Sequence, residues 1–510
     1  MDNLPNKRTG TVLLNSLGFR GRKFGIFFSA LACLTAAGCA AGPDFTRPEA
    51  PNTDRYNYGG DPKEFSAAGT ERQQIIAGSE PVANWWKLFN SSRIDAIVSE
   101  GLENNPSLQA AQASLRESQE NLRAGSGVFF PQAGATFAET REKSSPASSG
   151  SSSVGKLFNL STLSASVSYV LDIAGGQRRT VEGLAAKVDQ QRAIGLGTYI
   201  ILSGNLVNTS IAIAAYQAQI DELELLASLE KEQVAIAEKQ YKAGVVAFSS
   251  VLALQSQLDA LEASIPPVEQ QLNRAENLLA MLTGRLPSEF RTPKIMLSEI
   301  ALPDDLPLSL PSELVRQRPD ILAAEAQLHA ASAGIGQATA ALFPSFTLSA
   351  GYGQASLSAN NLFDKANSFW NLGANIAAPI FNGGSLRAKR RAAIAAYDQS
   401  FANYRATVLS AFAEVANTLR ALQHDAEVVQ KASRALDTAG LSLNLLQANY
   451  RAGLVNYLQV MAADRDYRQA KISLIQARAL QLQDTAALYV ALGGGWKNDA
   501  VANKKLSGNP

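Results

Sequence analysis

The stretch QYKAGVV at Gln240–Val246 returns as NYRAGLV at Asn449–Val455, 209 positions later. Each copy holds an aromatic, a basic residue, Ala-Gly and two apolar residues in one order, where a long helical pattern breaks and restarts. A break written twice points to a duplicated unit, which has to be settled before any local reading.

Outward from the breaks the duplication continues. NNPSLQAAQASL around Pro106 matches QRPDILAAEAQL around Pro319, and FFPQAGATFA around Pro131 matches LFPSFTLSA around Pro344, both at an offset of 213. DIAGGQRR, with Gly175-Gly176, matches IFNGGSLR, with Gly383-Gly384, at an offset of 208. The layout is then a leader at 1–38, an extended strap at 39–92 and a first repeat at 93–285 with a β-hairpin at 132–172. A Pro-rich linker at 286–310, a second repeat at 311–497 with a hairpin at 345–382, and a tail at 498–510 complete it.

Within each repeat the period switches between strand and helix. Phe346, Leu348, Ala350 and Tyr352 alternate with Ser345, Thr347, Ser349 and Gly351, as Leu163, Ala165, Val167, Tyr169 and Leu171 do with small polar residues. Such alternation predicts strands with two unlike faces. SSPASSGSSS at Ser144–Ser153 and SLSANN at Ser356–Asn361 read as loops at the hairpin tips. After Gly384, residues Ile394, Tyr397, Phe401, Tyr404, Val408, Phe412, Val415, Leu419 and Leu422 follow the spacing of a coiled-coil seam. From Ser385 to Arg451 there is no proline, so an unbroken helix there would be about 100 Å long. A return helix of about 40 residues closes each repeat by helical spacing.

Charge is nearly balanced, 46 Lys+Arg against 45 Asp+Glu, which leaves no footprint for a nucleic-acid partner. Beyond the N-terminal region no continuous apolar run of about 20 residues occurs, although a β-barrel would not need one. Lys7, Arg8, Arg20, Arg22 and Lys23 precede the apolar stretch Phe24–Ala37, the pattern of a secretory signal. Its end, Ala37-Gly38-Cys39, resembles the lipobox of bacterial lipoproteins, with Ala36 where Leu is usual. That resemblance implies cleavage before Cys39 and a covalent lipid on it. Ala40, not Asp, follows, which favours sorting to the outer membrane. Cleavage removes Cys33 and leaves no free thiol for a disulfide or a metal site.

Catalytic chemistry is missing from the pattern. The two histidines, His329 and His424, lie in helical stretches, and the Gly493–Gly495 triplet closes a helix instead of opening one. Asp304 and Asp305 read as solvated turn residues of the linker, and NWWKLFN at Asn84–Asn90 reads as an aromatic anchor that packs the strap. No enzyme, cofactor or metal is expected.

Four amphipathic strands cannot close a barrel, for which about eight are the minimum. An open sheet in a bilayer leaves edge groups unpaired, so the strands call for oligomers. Two chains would supply eight strands and three would supply twelve. Helices of about 100 Å exceed any bilayer and must project from it.

Together the chain resembles the outer-membrane factors of the TolC type, in their lipoprotein (NodT-like) branch, which serve tripartite efflux pumps. The resemblance rests on Ala37-Gly38-Cys39 followed by GPDFTRPEAP, on NWWKLF and NNPSLQAAQASL, on both Gly-Gly exits and on both Tyr-Lys/Arg-Ala-Gly breaks. It implies a fold that is mainly α with membrane β. Tandem-duplicated protomers would form a trimeric twelve-stranded barrel and an α-helical periplasmic tunnel, lipid-anchored in the outer membrane. It also implies partners, a periplasmic adaptor and an inner-membrane pump.

By the same resemblance the two breaks are the periplasmic tips where the adaptor docks, through Tyr241, Gly244, Val245, Val246, Tyr450, Gly453, Leu454 and Val455. Family members often carry a ring of carboxylates about two turns after the second break; here Gln459 and Ala462 stand there, with Asp464 and Asp466 beyond. A less acidic gate at Gln459 and Asp464 is the expectation. The rival readings are the same fold serving type I protein secretion, and a periplasmic coiled-coil scaffold lipoprotein without a pore. The alternating strands oppose the second.

Overall fold

The computed structural model describes residues 40–65, 73–143 and 157–498. Cys39, the leader, the Ser144–Ser153 loop and the C-terminal tail lie outside them. Strands β1 (Glu64–Phe65) and β2 (Gln73–Ala77) precede a 3-10 turn at Trp85–Phe89, then helices α1 (Ser92–Asn104) and α2 (Pro106–Ser126). The first copy continues with β3 (Gln132–Lys143), β4 (Leu157–Leu171), α3 (Gly176–Lys242) and α4 (Phe248–Leu282). After β5 (Asp305–Leu308) and α5 (Pro311–Gln317), the second has α6 (Pro319–Ala340), β6 (Ser345–Ser356), β7 (Ser368–Ala377), α7 (Ser385–Arg451) and α8 (Tyr457–Ala491). Both α3 and α7 are 67 residues long, and both α4 and α8 are 35. The return helices are therefore somewhat shorter than the periodicity predicts. In α4 the helix continues past Pro266 and Pro267.

The chain forms two compact units. One comprises the described residues up to Phe45 with those of Arg123–Gly183 and Ala331–Tyr397. It holds a four-stranded antiparallel sheet in the order β3-β4-β6-β7, so that β4 and β6 join the two copies. Register sorts the faces, with exceptions: Gln354 stands on the apolar one opposite Leu163, and Phe369 on the polar one opposite Gly353. Ala133, Ala135 and Phe137 stand opposite Val167, Ala165 and Leu163; these continue through Ala350 and Tyr352 to Leu372 and Trp370. The other face carries Gly134 and Thr136, Ser164, Ser166 and Ser168, then Ser349, Gly351 and Gly353, and Asn371 and Gly373. The apolar face stays bare: Phe137 is 60 % exposed, Trp370 72 % and Leu372 75 %. Among the described residues neither β3 nor β7 has a strand on its outer edge.

The other unit comprises Thr46–Leu122, Leu184–Ala330 and the residues from Asp398. Its core joins Leu206, Val207 and Ile211 of α3 to Val415, Leu419 and Leu422 of α7 and Leu488 and Tyr489 of α8, all fully buried. In the α7 seam Tyr404, Val408, Val415, Leu419 and Leu422 are buried and Phe412 is half-buried, whereas Phe401 is 38 % exposed. An apolar window in α3 is long enough to cross a membrane, but 72 % of it is buried in this packing. Trp85 stacks on Tyr489, centroids 5.2 Å apart and planes at 7°, and Phe89 is fully buried beside it. The aromatic cluster of the strap is core.

One expectation needs correction. Asp305 is exposed as expected but is not a turn residue; it opens β5, which pairs in parallel with β2 from Gln74↔Asp305 to Ala77↔Leu308. Leu306 and Leu308 point inward and are buried, an alternation too short to register beside the linker's prolines. Within the strap, β1 and β2 complete this three-stranded sheet.

Candidate functional site

The two breaks in the helices are built alike. At the first, Gly244 has φ +75° and Val245 N–H donates to the Gln240 carbonyl at 2.8 Å, while Gly244 N–H donates to Tyr241 at 2.8 Å. At the second, Gly453 has φ +71°, with Leu454 N–H to Asn449 at 2.9 Å and Gly453 N–H to Tyr450 at 2.9 Å. This is the Schellman closure, in which a left-handed residue turns two otherwise orphaned carbonyls back onto the chain. A Cβ at either glycine would meet nothing within 4 Å, so the backbone angle, not crowding, calls for glycine.

An aromatic clasp braces each turn. Tyr241 lies 5.1 Å from Phe248 with planes at 43°, and Tyr450 lies 5.3 Å from Tyr457 at 46°. The turns present Val245 and Leu454, 71 % and 74 % exposed, while Val246 and Val455 are half-buried. All eight residues assigned to the tips therefore sit in two matching exposed turns. Phe248 and Tyr457 belong with them; the aromatic repeated 209 positions apart was the signal for it.

The tips differ in how the return helix starts. Asn456 caps α8: its Oδ1 accepts from Gln459 N–H at 3.0 Å, and Gln459 Oε1 accepts from Asn456 N–H at 3.1 Å. Such a reciprocal box satisfies two donors that a helix end otherwise leaves open. At the first tip Ala247 holds the cap position and offers no side-chain acceptor. Gln459 thus serves the helix start, and it also lines a groove of about 720 Å³ between α7 and α8 with Thr438, Ser442, Ala462 and Asp466.

The carboxylates nearby are paired. Asp464 Oδ1 lies 3.4 Å from Arg468 Nε, and Arg468 and Lys471 both reach the buried Glu222 of α3, at 3.4 and 2.6 Å. Asp466 pairs with Arg465 at 3.1 Å. The Tyr457 hydroxyl donates to Glu232 of α3 at 3.0 Å; burial first, then Glu232, raise its pKa above the usual tyrosine value. Burial likewise raises Glu230, against the opposing pull of Arg465 and Gln257. The structure does not bring Gln459 and Asp464 into one acidic cluster, and among the described residues no group of three His, Cys, Asp or Glu could hold a metal ion.

A sheet apolar on one face and polar on the other, carried with two long helical hairpins in one duplicated chain, defines an outer-membrane channel protein. The family model described as "Outer membrane efflux protein" matches residues 97–285 and 310–494, and the chain belongs to that family. It is 31 % identical over 444 residues to the "Pyoverdine export outer membrane protein OpmQ" of Pseudomonas aeruginosa, covering 85 % of this chain and 92 % of that one. Over 470 residues it is 29 % identical to the "Probable outer membrane lipoprotein SilC" of Salmonella typhimurium, covering 90 % and 96 %. The solved structure of the outer-membrane channel OprN aligns with a TM-score of 0.79 at 27 % identity, over 90 % of this chain and all of that one. The protein is an efflux channel component of the outer membrane, and its family members are channel proteins, not enzymes.

Proposed function

We propose that the protein works as the homotrimeric outer-membrane conduit of a tripartite efflux pump that exports small molecules. The carrying observation is the four-stranded sheet with a bare apolar face and both edges open. Edges cannot face lipid unpaired, and three copies supply the twelve strands of a closed barrel. Leu409, Leu441 and Leu445 of α7, 63 to 71 % exposed, offer apolar surface for neighbouring copies. The adaptor docks on the paired tips through Tyr241, Gly244, Val245, Val246 and their counterparts Tyr450, Gly453, Leu454 and Val455; six tips per trimer would suit a sixfold ring.

Cleavage after residue 38 and lipidation of Cys39 complete the reading, supported by the lipobox and by a relative whose name includes "lipoprotein". The gate near Gln459 and Asp464 is closed by packing and hydrogen bonds more than by free carboxylates, in keeping with the Asp464–Arg468 pair. Native mass spectrometry of full-length protein from outer membranes tests this. Trimers of chains beginning at Cys39, each heavier by the lipid, are expected. Monomers would remove the barrel, and trimers without lipid mass would remove the anchor while keeping the channel.

A further inference from the structure

The two strand-to-helix exits, DIAGGQRR and IFNGGSLR, are quasi-equivalent but chemically unlike. At the first, the segment after Cys39 closes over the exit. Ala41 N–H donates to the Ala174 carbonyl at 2.9 Å. A Cβ on Gly175 would fall 2.5 Å from Ala40 Cα, and one on Gly42 would fall 2.5 Å from Gly336 Cα. The buried Arg179 guanidinium donates to the Ala41 carbonyl at 3.2 Å, Asp44 at 2.6 Å and Glu182 at 2.7 Å. Arg178 is matched too, by Asp172 at 3.4 Å. Every cation of this exit has a carboxylate.

At the second exit the offset of 208 places Ile380 where Asp172 stands, Arg387 where Arg179 stands and Arg390 where Glu182 stands. Gly383 has φ +61°, and a Cβ on it would meet nothing within 4 Å, so among the described residues no chain segment crosses here. Arg387, Lys389, Arg390 and Arg391 are all exposed. Among the described residues none of the four has an ion pair, and Arg390 Nε donates to the Thr339 hydroxyl at 3.2 Å. Arg387 and Arg391 are one helical turn apart and share a face. Immediately before them Ile380 and Phe381 are 93 % and 91 % exposed, following the bare apolar face of β7.

An apolar sheet face, two bare apolar side chains and then four cations in five residues trace the profile of a bilayer boundary. Basic side chains at such a boundary attract anionic headgroups and snorkel toward them. We propose that the second exit binds the phosphate of an anionic phospholipid in the periplasm-facing leaflet. Arg387 and Arg391 hold the headgroup, whose phosphate takes the part that Asp44 takes at the first exit, and the acyl chains lie against β7 near Leu372 and Ile376. The assignment rests on the barrel reading above.

Full-length protein in mild detergent, titrated with phosphatidylglycerol or phosphatidylcholine and followed by native mass spectrometry, tests it. Trimers should retain phosphatidylglycerol at about tenfold lower lipid concentration than phosphatidylcholine. The R387Q/R391Q variant should lose that preference as an intact trimer. R387K/R391K, which keeps the charge, and K187Q/R274Q, which removes the same charge elsewhere, should retain it. Equal retention of both lipids, or a preference that survives R387Q/R391Q, overturns the site. Complete displacement by millimolar inorganic phosphate would make it a free-phosphate site and overturn the lipid assignment. Monomers in the same spectra would overturn the barrel reading and this one with it, whereas trimers without preference overturn this one alone.

Discussion

The hydroxyl of Tyr457 donates to the carboxylate of Glu232 at 3.0 Å, and this bond ties the return helix of the second hairpin to the outgoing helix of the first. Phe248, at the matching place in the first copy, has no hydroxyl to do the same. Tyr457→Phe keeps the ring contact with Tyr450 and removes only the bond, at a cost of about 1 kcal/mol. If the bond holds the tip closed, the population of open channels should rise several-fold in planar-bilayer recordings. Unchanged conductance with intact trimers would place the restraint elsewhere.

Gln459 tests the gate and the cap together. Gln459→Leu breaks the capping box and should cost about 1 kcal/mol, seen as faster amide exchange in the first turn of α8. Gln459→Asp keeps an acceptor for the helix start and adds a charge at the mouth of the groove. Reversal potentials should then shift toward cation selectivity; no shift would put the constriction away from this position.

Val245→Asp with Leu454→Asp should weaken adaptor binding at least about tenfold, since charge would replace apolar surface at both docking turns. Trimer melting should hold, because these side chains are 71 % and 74 % exposed. Gly244→Ala with Gly453→Ala acts differently. It should cost about 1–2 kcal/mol at each turn through the left-handed backbone alone. Adaptor affinity measured by surface plasmon resonance separates the two effects.

Arg318 joins three elements of the helical unit. Its buried guanidinium donates to the Ala491 carbonyl at 2.7 Å and to Asp320 and Glu414 at 2.8 Å each. Burial works against its charge, and the hydrogen bonds to Asp320 and the pull of Glu414 more than offset that, so its pKa stands above the usual value. Arg318→Ala leaves the last carbonyl of α8 open and two carboxylates uncompensated. A loss of about 3–5 kcal/mol is expected, read in denaturant unfolding. A loss below about 1 kcal/mol would mean that water replaces the cluster.

Asp425 on α7 is 6 % exposed, and burial first, then Asp484 of α8, push its carboxyl up to about 7. The folded chain keeps a proton that the unfolded chain releases near pH 4. Stability is therefore full below about 4 and declines as pH rises toward about 7. The melting temperature should drop by a few degrees between pH 5 and pH 8, and Asp425→Asn should flatten that slope. An identical slope in the variant would remove Asp425 as its source.

The tips were legible because their signals are local. A glycine after a long apolar-periodic run, with apolar residues beyond it, specifies a left-handed closure within six residues, and duplication made the signal double. The clasp partners Phe248 and Tyr457 share that logic. The Tyr457–Glu232 bond does not, because 225 positions separate its ends, and no periodicity records which helix faces which. Asp464 divides between the two: its pairing with Arg468 four residues on is a same-face helical contact that spacing alone carries, whereas the approach of Glu222 from α3 to the same guanidinium is not.

Duplication, strand alternation, the long helical seam and the lipobox belong to the sequence alone, since each is a matter of spacing along one chain. The faces of the sheet were also set there, because side chains alternate with period two whatever the strand pairs with. The tertiary structure decided the β4–β6 pairing that joins the copies, the pairing of Asp305–Leu308 as a strand beside β2, and the capture of Arg179 by the N-terminal strap while Arg387 stays exposed. Those outcomes depend on which distant surfaces meet and exclude water, and sequence spacing carries no coordinate for that.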